Sequence, residues 1–112
     1  MHEFSIAAGI AEVALEAAAS HHLETVSIVE VNIGDAAGVV PDALTFAWES
    51  VRKEGLLETA ALKINHIPLV MRCSDCGTEY PAGEVWAPCP SCKGMVHTVI
   101  SGRELKVISI ES

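Results

Sequence analysis

Four cysteines stand in two pairs, Cys73-Ser-Asp-Cys76 and Cys89-Pro-Ser-Cys92. Two residues between thiolates make a turn tight enough for both sulfurs to face one ion. Two such turns complete a tetrahedron, with each sulfur about 2.3 Å from a zinc ion. Four thiolates leave no open position for water or substrate, so the role such a site predicts is structural. A rubredoxin-like iron centre satisfies the same spacing. Gly77 and Gly94 follow the two pairs, where a turn of this kind often needs a positive φ.

Met1-His2-Glu3 is the second constellation. A free α-amine, the His2 amide and the His2 ring nitrogen can chelate one metal through fused five- and six-membered rings. Imidazole with other nitrogens suits nickel or copper in a square plane. Glu3 offers a fourth donor. With the amine and the ring already cis to the His2 amide, the Glu3 amide cannot also be cis to it in a square plane. Either the plane distorts or Glu3 acts through its carboxylate. The plainer reading is a starting methionine followed by two solvated residues.

The elements that must position these residues follow from periodicity. Ile6, Ile10, Val13, Ala14 and Ala17 recur at helical spacing against Ser5, Gly9, Glu12, Glu16 and Ser20, which predicts a helix from Ile6 to about Ala19. His21 and His22 close it, where a cation complements the negative end of the dipole. Val29, Val31 and Ile33 alternate with Glu30 and Asn32, predicting a strand within Glu24 to Gly34. Pro41 and Asp42 open a second helix, 41–54, whose Leu44, Ala47, Trp48 and Val51 share a face and which Gly55 stops. Ala60, Leu62 and Ile64 mark a second strand that Pro68 closes. Trp48 is expected in the core or at a domain boundary.

From Met71 to Lys93 the apolar period vanishes and Cys, Pro, Gly and Ser dominate, so something other than packing must hold this stretch. Val96 to Ser101, a Gly102-Arg103 turn and Glu104 to Glu111 read as a β-hairpin, its last strand rejoining the main sheet. The expected fold class is α+β: two helices packed on a small sheet, residues 1–69 plus 102–112, with a projecting zinc-ribbon-like domain on two CxxC knuckles, 70–101. His66 and His97 read as structural histidines, weak supports behind a metal ligand, or transient ligands themselves. Trp86 either covers the cysteine site or faces a partner.

The chain has 112 residues, half of them apolar, with 4% aromatics, so the core rests on Ala, Val, Ile and Leu. Fifteen acids against seven bases give a net charge of −8, which repels phosphate backbones and argues against nucleic acid. No apolar run nears the roughly 20 residues a bilayer needs, and Glu12 and Glu16 break the alanine-rich stretch that would otherwise suggest a secretory signal. A cytoplasmic location, with cysteines reduced and free for metal, is the expectation.

Several segments resemble one family. Met1-His2-Glu3-Phe4-Ser5 opening a helix, Ile33-Gly34 ending a strand, Pro41-Asp42 opening a helix that carries Phe46, and Ala61-Leu62-Lys63-Ile64 running into two CxxC pairs all resemble the HypA/HybF nickel chaperones of [NiFe]-hydrogenase maturation. Ser101-Gly102-Arg103-Glu104-Leu105 before a β-rich tail resembles the end of the same family, and the likeness covers nearly the whole chain. The resemblance implies a noncatalytic metallochaperone with Ni(II) as transient cargo at Met1, His2 and Glu3, His2 being the side-chain ligand. It implies Zn(II) held structurally by Cys73, Cys76, Cys89 and Cys92. It also implies a HypB-type GTPase partner and delivery to the hydrogenase large subunit, with urease and its accessory proteins served in some organisms. The alternatives are a rubredoxin-like electron carrier with iron on the four cysteines, which would be red, and a zinc-ribbon adaptor, which would need a basic face if its partner were nucleic acid. A hydrolase would need an open metal position beside a base, and none is evident.

Overall fold

The computed structural model describes residues 2–53 and 55–112. The chain folds into two compact units: Met1–Asn32, Val39–Asn65 and Lys106–Ser112 form the first, and Ile33–Gly38 with His66–Leu105 form the second.

Helix α1 spans His2–Ser20 and begins four residues before the expected Ile6, so His2 and Glu3 lie in its first turn. Its buried face is Ala7, Ile10, Ala11, Ala14 and Ala18, while Ile6 and Ala17 are half-buried and Val13 is 48% exposed. The buried stripe is thus turned away from the one the larger side chains suggest. The reason is α2 (Pro41–Val51), which packs on α1. Small alanines let two helices approach closely, and β-branched Val13 would hold them apart. The end of α1 is a Schellman turn: Leu23 N–H reaches Ala18 O at 2.9 Å and His22 N–H reaches Ala19 O at 3.2 Å, with His22 in the left-handed region at φ 56°. His22 therefore stops the helix by backbone geometry.

Strands β1 (Ile28–Gly34), β2 (Ala61–Ile67) and β6 (Leu105–Glu111) form a sheet in the order β2-β1-β6. At the start of β1, Ala61 N–H donates to Ser27 O at 2.9 Å and Ser27 N–H donates to Glu111 O at 2.7 Å. The start of β1 thus meets the start of β2 and the end of β6, making β2 parallel and β6 antiparallel to it. The parallel pair needs a crossover, and α2 supplies it. Trp48, fully buried, donates from Nε1 to Ala60 O at 2.9 Å, and Arg52 Nη1 reaches the same carbonyl at 2.9 Å. Arg52 leaves the helix at φ −95°, ψ 21° and pairs back with Glu49, so α2 ends at Val51 instead of 54.

The second unit is a sheet in the order β4-β3-β5, from β3 (Val70–Cys73), β4 (Glu79–Pro81) and β5 (His97–Ser101). Both pairings are antiparallel, with Met71 opposite Tyr80 and Cys73 opposite His97. The expected hairpin between 96–101 and 104–111 does not form, because β5 pairs with β3 and β6 with β1. Gly102 makes the exchange: at φ 112° its backbone lies where a Cβ would sit 2.5 Å from Leu69 Cα. Its carbonyl takes the Ala36 N–H at 2.7 Å, so a local two-residue turn is replaced by contacts to distant backbone. This unit also has an apolar cluster that composition did not reveal: Leu69, Met71, Cys73, Tyr80 and Cys89, with Val85 and Val99 packed against it. Two of its five buried members are cysteines.

On the solvent face of the first sheet, Glu30 accepts from Asn65 Nδ2 at 2.8 Å and from Ser109 Oγ at 3.1 Å, with Lys63 Nζ 3.8 Å away. One carboxylate thereby links all three strands. The bond from Asn65, then that from Ser109, holds its pKa below the usual glutamate value. A carboxyl depressed in the folded state stabilises above its unfolded pKa, and that contribution is lost as pH falls through the folded value. Glu30→Gln should therefore show a shallower loss of denaturation midpoint than the parent between about pH 5 and pH 3. Parallel curves would remove Glu30 from the account of the sheet.

Candidate metal centre

Each CxxC pair is a knuckle built from the same two backbone bonds. Gly77 N–H donates to Cys73 O at 2.9 Å and Cys73 N–H to Thr78 O at 2.9 Å; Lys93 N–H donates to Cys89 O at 2.8 Å and Cys89 N–H to Gly94 O at 3.0 Å. The fifth residue of each knuckle has positive φ, Gly77 at 77° and Lys93 at 61°. Gly94, expected to need that conformation, does not. Its small size serves another end: a Cβ there would lie 2.6 Å from Asp75 Oδ2, 3.2 Å from Cys92 Sγ and 3.3 Å from Cys73 Sγ. A side chain there would press on two of the sulfurs and push Asp75 aside.

The knuckles bring all four Sγ atoms within 4.8 Å of one another. Cys73 and Cys92 are 3.5 Å apart and Cys76 and Cys89 3.6 Å, too far for disulfides of about 2.05 Å. Four sulfurs each about 2.3 Å from a central ion stand about 3.8 Å apart in a tetrahedron, so the quartet fits one tetrahedral metal ion. Within each pair the first cysteine is buried and the second exposed. Cys73 and Cys89 join the apolar cluster, while Cys76 and Cys92 close the site from the solvent side. Tyr80, which spacing did not single out, is buried in the same cluster and donates its hydroxyl to Ala87 O at 3.2 Å.

The electrostatics are those of a site suited to a cation. The Thr78 hydroxyl, 3.2 Å from Cys76 Sγ, and the Thr78 amide favour the thiolate and lower Cys76 to about 6. At Cys92 the Gly94 amide acts the same way, yet the neighbouring Cys73 and Cys76 sulfurs and burial prevail and push it up to about 12. Burial first, then the cysteine charges, raise Tyr80 as well. Crowded thiols resist a shared negative charge until a metal displaces their protons.

The N-terminal residues are positioned differently. Met1 lies outside the described residues. His2 is exposed and Glu3 half-buried, and the His2 carbonyl accepts the Ser5 hydroxyl at 2.9 Å. Glu3 Oε2 accepts the N–H of Val40, the residue that precedes α2, at 3.4 Å. The amides of a helix's first turn have no acceptor within the helix, so those of His2 and Glu3 are available without breaking an intrahelical bond. Among the described residues, the cysteine quartet is the grouping of three or more His, Cys, Asp or Glu whose ligand atoms converge. His66 is exposed in β2, and His97, opposite Cys73, has a buried Nδ1 without a partner. Trp86 is 67% exposed.

All 112 residues match the model of a family described as hydrogenase/urease nickel incorporation, metallochaperone, hypA. The chain is 38% identical over 111 residues to the hydrogenase maturation factor HypA of Geobacter metallireducens, covering 99% of this chain and 98% of that one. To its counterpart in Solidesulfovibrio magneticus it is 38% identical over 115 residues, with 99% and 98% coverage. The solution structure of the Ni metallochaperone HypA from Helicobacter pylori superposes with a TM-score of 0.69 at 22% identity, over 97% of this chain and 95% of that one. A second solution structure of a HypA protein gives 0.72 at 24% identity, over 99% and 95%.

The knuckle geometry makes opposite demands on adjacent residues. Gly94→Ala should release metal to a chromophoric chelator at least about fivefold faster, since a methyl group 3.2 Å from Cys92 Sγ and 3.3 Å from Cys73 Sγ shifts two ligands from their positions. Lys93→Gly should hold metal as well as the parent or better, because it relieves a left-handed residue whose side chain is exposed. Equal release from both variants would sink this account of the turn.

Proposed function

The chain belongs to the HypA family, and from that premise we propose a division of labour between two metal sites. The first is transient: Met1, His2 and Glu3 carry Ni(II) as cargo. The observation that carries this reading is the placement of His2 and Glu3 in the first turn of α1. A metal that takes an amide nitrogen there costs the helix no hydrogen bond, and the imidazole of exposed His2 is free to close the chelate. The Glu3 carboxylate accepts a long bond from Val40 N, at 3.4 Å, and can exchange that amide for a cation. Nitrogen and oxygen donors in an open, solvent-facing site suit nickel that must be given up again.

The second site is permanent. Cys73, Cys76, Cys89 and Cys92 hold structural Zn(II), four soft thiolates in a closed tetrahedron with no position for substrate. The ion organises the unit built around 70–101, while the unit that contains α1, α2 and most of the β2-β1-β6 sheet carries the cargo. The protein acts without catalysing a reaction of its own, in the cytoplasm. It works with a HypB-type GTPase, and Ni(II) passes to the large subunit of a [NiFe] hydrogenase, with urease as a further recipient.

The test uses untagged protein with a free N-terminus. One nickel per chain should bind to the parent, while His2→Ala should keep the parent's circular dichroism and lose stoichiometric nickel and hydrogenase maturation. A tag fused ahead of Met1 should do the same by turning the amine into an amide. Unchanged nickel affinity in His2→Ala, or the same planar absorption bands with a blocked terminus, would overturn the assignment. The purified protein should contain one zinc per chain and be colourless; a red protein that bleaches on reduction would instead mark an iron centre.

A further inference from the structure

The β2-β1-β6 sheet ends at β6, and beside that edge lies a groove of about 700 Å³ lined by Val13, Ala17, His21 and Leu23 on one side and residues 107–112 on the other. Both odd and even residues of β6 line it, so the groove follows the backbone edge and not only one face. Ser109 lies on the face of Glu30. Ile108 and Ile110 therefore point to the opposite face, the one the helices cover. That cover stops short: Ile108 is 43% exposed, Ile110 is half-buried and Val13 is 48% exposed. The layer of helices is complete over β1, whose Val29 and Val31 are fully buried, and incomplete over β6.

We propose that the outer edge of β6 is a docking site for an extended segment of a partner protein, one that adds a fourth strand and carries apolar side chains alternating with basic ones. The unpaired backbone row of an edge strand supplies the hydrogen bonds of β-augmentation, and alternate side chains of the added strand fill the space beside Val13 and Ile108. Charge selects the occupant. Glu12 and Glu16 flank Val13 and Ala17 on the exposed side of α1, Glu111 lines the groove, and the chain carries a net −8. A second copy of this chain is a poorer occupant. Two symmetric antiparallel β6 strands pair residues of equal parity, so Lys106 cannot stand opposite Glu111, and each copy brings its own −8. The surface is independent of the nickel reading, since His2 and Glu3 take no part in it.

A capped nonapeptide alternating valine and lysine is the probe, titrated into metal-replete, isotopically labelled protein. Binding should shift amide resonances of residues 13–23 and 107–112 and slow exchange of β6 amides. Two adjacent N-methyl groups at the peptide's centre, which block both of its hydrogen-bonding edges, should weaken binding at least about tenfold, as should a valine–glutamate peptide. Val13→Lys, at an exposed helical position, removes the apolar contact and repels the peptide's lysines, so it should weaken the parent peptide to a similar degree, while His2→Ala should bind it normally. Shifts centred elsewhere, or equal binding of the N-methylated peptide, would overturn the proposal. So would concentration-dependent protection of β6 in the protein alone, with dimers in sedimentation, which would assign the edge to a second copy.

Discussion

Four sulfur atoms within 4.8 Å of one another cannot all carry charge unless a cation stands among them. The second unit is built on that constraint. Its apolar cluster is small, and Cys73 and Cys89 belong both to the cluster and to the quartet. Packing and coordination are therefore one event: the sulfurs that would repel one another are the same groups that Leu69, Met71 and Tyr80 bury. The low value of Cys76, about 6, and the high one of Cys92, about 12, are two ends of this conflict. Thr78 stabilises a negative charge on Cys76, while at Cys92 the neighbouring sulfurs and burial oppose one until a metal shares it. Gly94 follows from the same crowding, because a methyl group there would crowd both Cys73 Sγ and Cys92 Sγ.

The cysteine quartet contrasts with the nickel site we propose at the N-terminus in each property that sets metal exchange. Thiolate donors recruited from two knuckles of fixed backbone geometry make a closed cage. An imidazole on an exposed residue and a carboxylate whose bond to Val40 N is 3.4 Å long would make an open one. Softness and closure favour retention, whereas borderline donors at a chain end favour exchange. Retention suits zinc on the four thiolates, and exchange suits nickel at the site we propose on the chain's first residues.

Much of this was legible in the primary structure where spacing and chemistry coincide. The CxxC pairs carried their meaning because two intervening residues impose a turn whatever surrounds it. Val29, Val31 and Ile33 carried theirs because a strand alternates. Features set by distant neighbours were not legible. The buried face of α1 turned toward Ala7, Ala11 and Ala18 because α2 requires a thin partner, and residue size in the helix itself pointed to Val13 instead. The hairpin at Gly102-Arg103 failed because a local turn signal lost to pairing with β3 and β1, elements far away in sequence. Positive φ fell on Lys93 and not on Gly94 because the bond from Lys93 N–H to Cys89 O sets the turn, while the glycine answers to volume.

The start of α1 is the most consequential of these differences. Helix periodicity needs apolar residues to announce itself, and Met1-His2-Glu3 offers none at the required spacing, so the pattern predicts a helix only from Ile6. Its beginning at His2 changes the chemistry of the terminus. In a disordered tail the amine, amides and imidazole would have to be ordered by the metal itself, at a cost of about 1–2 kcal/mol per residue in backbone entropy. For His2 and Glu3, in the first turn of a helix, that order already exists, and their amide groups point out of the helix end without acceptors. The same turn brings Glu3 to Val40 at the entrance of α2, so the terminus is tied to the body of its unit by a bond long enough to be given up. A cargo site of this kind gains affinity from being ordered in advance, yet keeps only as many strong donors as release will allow.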